Sequence, residues 1–180
     1  TMAPLAEPVH RGNRLYFAGR REMNPNQPMP SDANFTMRMS YGTIKGYSPA
    51  DAVEYDYFTT SRGILEKNNP ESTEFNVFPS FLELIKKGDW GRWADKKDGK
   101  LHVAFISTND ITGGNSGSPV FDKNGRVFGL AFDGNWEAMS GDIEFEPNLQ
   151  RTIVVDIRYV LFTIDKWGKC SRLIDEMTIK

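Results

Sequence analysis

The chain has 180 residues, 39% hydrophobic and 26% charged, with 22 Lys and Arg against 24 Asp and Glu for a formal charge of −2. That length holds one domain or one large piece of a longer protein, and the near-neutral balance offers no basic stripe for nucleic acid. No apolar run nears the ~20 residues of a membrane helix, and a lone cysteine, Cys170, excludes an internal disulfide.

Thr1-Met2-Ala3-Pro4 reads as an interior cut or an artificial end, and no signal-peptide pattern follows it. Residues 10–23 suit a short helix. Residues 24–31, with Pro25, Pro28 and Pro30, suit a connector between two parts of a protein. Residues 35–42 alternate apolar and polar side chains, so a barrel is expected to start there with a half-buried strand that continues as a twisted strand or bend to Tyr47. A second strand is expected over 53–60, one or two helical turns over 61–67, and a short surface helix from Pro79 to Gly88, opened by its proline and closed by its glycine. In the aromatic loop 90–95, Trp90 and Trp93 favour packing over the end of the barrel to gripping a ligand.

Residues 101–106 form an apolar strand that leads into Thr112-Gly113-Gly114-Asn115-Ser116-Gly117-Ser118-Pro119. A serine attacks an acyl carbon only from a tight turn whose backbone N–H groups converge on the developing oxyanion. Gly114 and Gly117 permit such a turn around Ser116, and the N–H groups of Gly114 and Ser116 can face one point beside its hydroxyl. After Pro119-Val120-Phe121 come the turn 122–125, a strand over 126–132, a β-branched central strand over 150–157 and a one-faced helix over 158–167. The order strand, glycine-rich loop, short strand, turn, strand, and the run Gly-Asn-Ser-Gly-Ser-Pro, resemble the serine region of chymotrypsin-like peptidases. Ser116 rather than Ser118 then matches the nucleophile.

Such a serine needs a histidine to take its proton and a carboxylate to orient that histidine. The chain has two histidines. His102 lies in the strand entering the loop, where an ordinary strand histidine is the better reading. His10 precedes the first expected strand, with no barrel before it to hold it. The triad is therefore incomplete, and the histidine and aspartate are expected in an N-terminal barrel outside this sequence. The histidines are isolated and no phosphate-binding glycine loop precedes a helix, so no metal or cofactor is expected.

The nucleophile loop, Gly129-Leu130-Ala131-Phe132-Asp133-Gly134-Asn135-Trp136-Glu137, Ser140-Gly141-Asp142-Ile143 and the run from Arg151 to Leu161 together resemble the bacterial exopeptidase family containing dipeptidyl-peptidases seven and eleven. Upstream, Asp32 to Arg38, Tyr41-Gly42, Gly46-Tyr47-Ser48-Pro49 and Asp51-Ala52-Val53 resemble it too. The resemblance implies a mainly β, chymotrypsin-like C-terminal barrel with short helices and a closing C-terminal helix over 35–180. It makes residues 1–34 the end of a helical lid and its connector. It implies that dipeptides are removed from the free N-terminus of oligopeptides, in the periplasm or at the bacterial surface, by a protein about four times this length. Ser116 is then the nucleophile, with Gly114 and Ser116 supplying the oxyanion N–H groups. Asp133 receives the substrate's α-amine, and Gly134 sets the specificity pocket, where glycine goes with apolar second residues and arginine with acidic ones. The chain alone, lacking base, aspartate and the asparagines of the amine site, is expected to be silent. Two alternatives stay open. One is a fragment of a glutamyl endopeptidase, although no histidine follows Ser116 to line its pocket; the other is a non-catalytic peptide-binding barrel.

Overall fold

The structure is a computed structural model that describes residues 3–26, 36–141 and 143–180. Most of the expected connector, the expected barrel start at Phe35, and Asp142 of the Ser-Gly-Asp-Ile run lie outside the described residues. The chain divides into two compact units, Thr1–Ser31 and Asp32–Lys180. The first is built on helix α1 (Ala3–Met23), longer at its N-terminus than the sequence suggests. Pro8 weakens the helical signal there, yet the helix runs through it. Arg20 and Arg21 offset the negative pole of the last turn.

The second unit holds a hairpin of β1 (Tyr47–Ala50) and β2 (Val53–Tyr55), and a five-stranded sheet. The sheet contains β3 (Phe58–Thr60), β4 (His102–Ser107), β5 (Pro119–Phe121), β6 (Val127–Gly134) and β7 (Thr152–Asp156), in the order β3-β4-β7-β6-β5. All pairs are antiparallel. The described residues thus make an open sheet and a separate hairpin, not the closed mainly-β barrel expected. The single strand expected over 53–60 is two, because residues to Tyr55 pair with β1 and residues from Phe58 pair with β4. At the change of partner, the Asp56 carboxylate accepts the Tyr57 N–H at 2.6 Å. The strand expected over 35–42 is absent from its described part. Only Ile44 bridges to Ser107, flanked by Lys45 N–H to Ile106 C=O and Thr108 N–H to Thr43 C=O, so this segment lies along the end of β4 without forming a strand.

The helices of this unit are α2 (Ser61–Lys67), α3 (Pro79–Lys87), α4 (Ile157–Phe162) and α5 (Ser171–Asp175), with a 3-10 turn at 91–93; α2 and α4 pack on the strands. Gly88 closes α3 in the left-handed conformation, as its sequence suggests. The helix expected over 158–167 is α4 followed by a π turn over 163–167, where Gly168 N–H reaches Thr163 C=O. That extra residue lets Asp165 accept the Trp93 indole N–H at 2.9 Å while Trp167 packs edge-on to Phe81. Phe81, Ile85, Trp93, Leu101, Leu161, Phe162 and Ile174 form the core, with Trp90 packed against it. Both tryptophans are structural.

One polar cluster ties this layer to the sheet. Asp156 caps α4 by accepting the Arg158 N–H, and the Arg158 guanidinium grips both Asp156 oxygens and Asp95 Oδ2. The Arg158 hydrogen bond, helped by the Lys97 N–H, holds the Asp95 carboxyl down at about 2. A depressed carboxyl stabilises the fold above its unfolded value near 4 and loses that contribution as pH falls toward 2. Asp95→Asn should therefore cost about 1 kcal/mol at neutral pH, after allowing for partial exposure. Urea titrations at pH 7, 4 and 2.5 should show the gap from wild type closing at the acid end; a gap independent of pH would mean the charge of Asp95 does not matter.

Candidate active site

The loop between β4 and β5 takes its shape from two glycines with positive φ, Gly114 (97°) and Gly117 (80°), a conformation that a Cβ would strain. Four of its N–H groups have acceptors within the fold. Asn115 N–H bonds Thr112 C=O and Ser118 N–H bonds Asn115 C=O, while Gly117 N–H bonds Ala131 C=O. The Asn115 side chain accepts the Thr112 N–H at 3.1 Å. The N–H groups of Gly113, Gly114 and Ser116 have no acceptor among the described residues.

The Ser116 hydroxyl donates to the Phe132 carbonyl at 3.1 Å. This contact depends on a bulge in β6. Ala131 pairs with Val154 and Asp133 with Ile153, which leaves Phe132 without a partner in the register. Asp133 and Gly134 are the last residues of the strand, so the Asp-Gly pair is not a turn. One Asp133 oxygen accepts the Gly134 N–H at 2.8 Å, and the other has no partner among the described residues.

Ser116, Asp133 and Gly134 line one cavity of about 320 Å³, together with Gly113 and, on its apolar side, Ile111, Phe132, Ala138, Met139 and Phe145. Gly114 belongs to the same loop but not to this lining. A larger apolar cavity of about 540 Å³ opens by α2 and α3 and contains none of the four residues read from the sequence.

Sequence reasoning missed the frame behind the first cavity. Arg151 is 2% exposed and uses all five of its N–H donors on carbonyls, those of Lys45, Gly46, Pro147, Asn148 and Gln150. Burial pulls its pKa down, and its guanidinium lies 5.5 Å from the centre of the Tyr47 ring. Asn135 bonds both flanks, accepting the Arg151 N–H and donating to Leu149 C=O and Glu137, which also accepts the Tyr47 hydroxyl. Burial also raises the Tyr47 pKa. The only signal for Arg151 was its place at the start of the β-branched run, where it reads as a strand residue.

His102 is not beside Ser116. It begins β4, five residues and roughly 16 Å of strand before Ser107, where the chain turns toward the loop. Its ring is buried, stacks on Phe58 with centroids 4.0 Å apart, and has Nε2 3.0 Å from Asp98. Nδ1 faces the Arg158 guanidinium at 3.5 Å; since arginine only donates, Nδ1 must be the acceptor and Nε2 carries the proton given to Asp98. Asp95, Asp98 and His102 bring three donor atoms within 4.8 Å, but Asp95 is already paired with Arg158 and Asp98 hydrogen-bonded to the ring. His10 lies on α1, in the other unit.

Arg151→Met should leave five carbonyls to find water and cost roughly 3 kcal/mol or more. Arg151→Lys should recover only part of that, because an ammonium has three donors and no planar fork. Thermal melting of both variants checks this; full recovery with lysine would mean that charge alone matters at this position.

The sequence profile of the family described as Peptidase S46 matches residues 1–179. Dipeptidyl-peptidase 7 of Porphyromonas gingivalis is 66% identical over 171 residues, which are 95% of this chain and 24% of that protein. The Asp/Glu-specific dipeptidyl-peptidase of the same species is 49% identical over 178 residues, 99% of this chain and 25% of the relative. A crystal structure of Porphyromonas endodontalis DPP11 in complex with the dipeptide Arg-Asp superposes with a TM-score of 0.86 at 44% identity, covering 99% of this chain and 26% of that one. The chain spans about a quarter of the length of the curated relatives it matches.

Proposed function

Starting from a chain that belongs to the peptidase S46 family, we propose that it is the nucleophile-bearing part of a serine dipeptidyl-peptidase that releases N-terminal dipeptides with an apolar second residue. The observation that carries this reading is the shared cavity of Ser116, Asp133 and Gly134. Ser116 Oγ attacks the carbonyl carbon of the second substrate residue. The N–H groups of Gly114 and Ser116, both without acceptors among the described residues, receive the oxyanion of a chymotrypsin-like site. The base takes the hydroxyl proton and returns it to the departing amine, and water then cleaves the acyl-enzyme. Neither histidine of this chain is assigned that task. Base and orienting aspartate come from the rest of the longer protein, in its N-terminal barrel, and the chain alone is inert. Residues 1–34 as lid end and connector, and a periplasmic or surface location, belong to the same proposal; among the described residues no helix is long and apolar enough to cross a membrane.

Asp133 holds the substrate's α-ammonium with the carboxylate oxygen that the Gly134 N–H leaves open. In the full-length protein, wild type should cleave a dipeptidyl substrate with a free amine and reject its N-acetylated twin. Asp133→Ala should lose about 2–5 kcal/mol of transition-state binding on the free amine, because a desolvated ammonium is left unpaired. Equal discrimination in both proteins would return Asp133 to a role in the strand end.

Gly134 places no charge beside the apolar side of the pocket, and the greater identity to dipeptidyl-peptidase 7 than to the Asp/Glu-specific relative supports an apolar second residue. A Cβ at Gly134 would sit 2.9 Å from the Ala138 Cβ, so an arginine there displaces the 3-10 turn over 136–140. Gly134→Arg should shift preference toward Asp and Glu with a loss of overall rate, and adding Ala138→Gly should restore part of that rate. Unchanged selectivity across Leu, Phe, Asp and Glu substrates would show that Gly134 does not face the second residue.

A further inference from the structure

Two consecutive glycines carry the peptide whose N–H belongs to Gly114. Rotating that peptide by half a turn changes only ψ of Gly113 and φ of Gly114, and neither residue has a Cβ to oppose it. Nothing comes within 4 Å of the position a Cβ on Gly113 would take. The loop sequence therefore permits two orientations of this peptide, and only one aims the Gly114 N–H at the substrate oxygen. An orientation that local sterics leave free has to be set from outside.

Arg38 supplies the external contact. Its Nη1 donates to Thr112 Oγ1 at 2.8 Å, and its Nη2 donates to the Gly113 carbonyl at 3.4 Å. In a trans peptide the C=O of one residue and the N–H of the next point in opposite directions. A guanidinium that draws the Gly113 oxygen to one side therefore turns the Gly114 N–H to the other. The shorter bond to Thr112 anchors the guanidinium one residue earlier, so the same planar fork fixes both its own place and the carbonyl's. The Asn115 side chain holds the Thr112 N–H from within the loop, which makes Thr112 a firm anchor.

We propose that Arg38 is a positioning residue that locks the Gly113–Gly114 peptide in the orientation needed to stabilise the oxyanion. This rests on the proposed function, in which the Gly114 N–H is an oxyanion donor. Arg38 acts through the loop backbone, on the transition state alone, since a ground-state dipeptide product places no developing charge at that N–H.

The test uses the full-length protein with Arg38→Met, which keeps an unbranched side chain and removes every donor. Loss of a whole oxyanion donor lowers kcat by about 100- to 1,000-fold, so partial loss of its orientation should lower kcat about 10- to 100-fold with KM within about twofold. A dipeptide boronate, which forms a tetrahedral adduct with the serine, should lose affinity by a similar factor, while the free dipeptide product should bind as it does to wild type. Thr112→Val, which removes the anchor and leaves the guanidinium, should show the same pattern more weakly, and it serves if Arg38→Met does not fold. Unchanged kcat and boronate affinity, or equal losses of boronate and product binding, would overturn the proposal. Ser116→Ala, measured alongside, separates the two readings. If it abolishes turnover while Arg38→Met is normal, only the role of Arg38 falls; if it leaves turnover intact, the proposed function falls and the role of Arg38 with it.

Discussion

The buried guanidinium of Arg151 joins two stretches of chain that no strand pairing brings together. It bonds the carbonyls of Lys45 and Gly46, which precede β1, and those of Pro147, Asn148 and Gln150, which lead into β7. A buried cation is costly unless its donors are all satisfied, and here five carbonyl dipoles do this without a carboxylate. Through its own backbone, Arg151 also engages Asn135 at the end of β6. The back of the small cavity is therefore set by hydrogen-bond geometry as much as by apolar packing, and that geometry leaves a polar wall facing an apolar one.

The helical layer and the sheet divide the work. Most of the buried apolar residues lie where α3, α4 and α5 meet Trp93 and Leu101, and none of that cluster lines the cavity of Ser116. The candidate site sits on the β5–β6–β7 end of the sheet, where a register shift leaves Phe132 unpaired. Stability concentrated in one layer allows the other to carry an irregular ladder, glycines at positive φ and exposed polar groups. The Arg158 cluster connects the layers by capping α4 with the last residue of β7.

Much of this was legible in the sequence where a residue type has only one local use. Gly114 and Gly117 mark positive φ around Ser116, Pro79 and Gly88 bracket α3, and the apolar runs give β4, β6 and β7. What failed depends on partners. The alternation at Met37, Met39 and Tyr41 reads as a half-buried strand, yet these side chains are 98%, 88% and 84% exposed, with no strand beside them among the described residues. Periodicity reports which face calls for cover and not what covers it. The bulge at Phe132 and the fork of Arg38 were hidden for the same reason, since each is defined by a chain segment distant in sequence. Arg151 was hidden because its five acceptors are backbone carbonyls, which no side-chain pattern announces.

The bulge has one more consequence. Phe132 and Asp133 are adjacent, the first touching Ser116 through its carbonyl and the second carrying the carboxylate assigned to the substrate's amine. One peptide unit of a hydrogen-bonded strand thus separates the two fixed points of the proposed reaction. Two extended residues of substrate span roughly 7 Å. An anchor and a nucleophile held on neighbouring backbone atoms act as a caliper of constant opening, so product length would be set by the stiffness of β6 rather than by the identity of the residues cleaved.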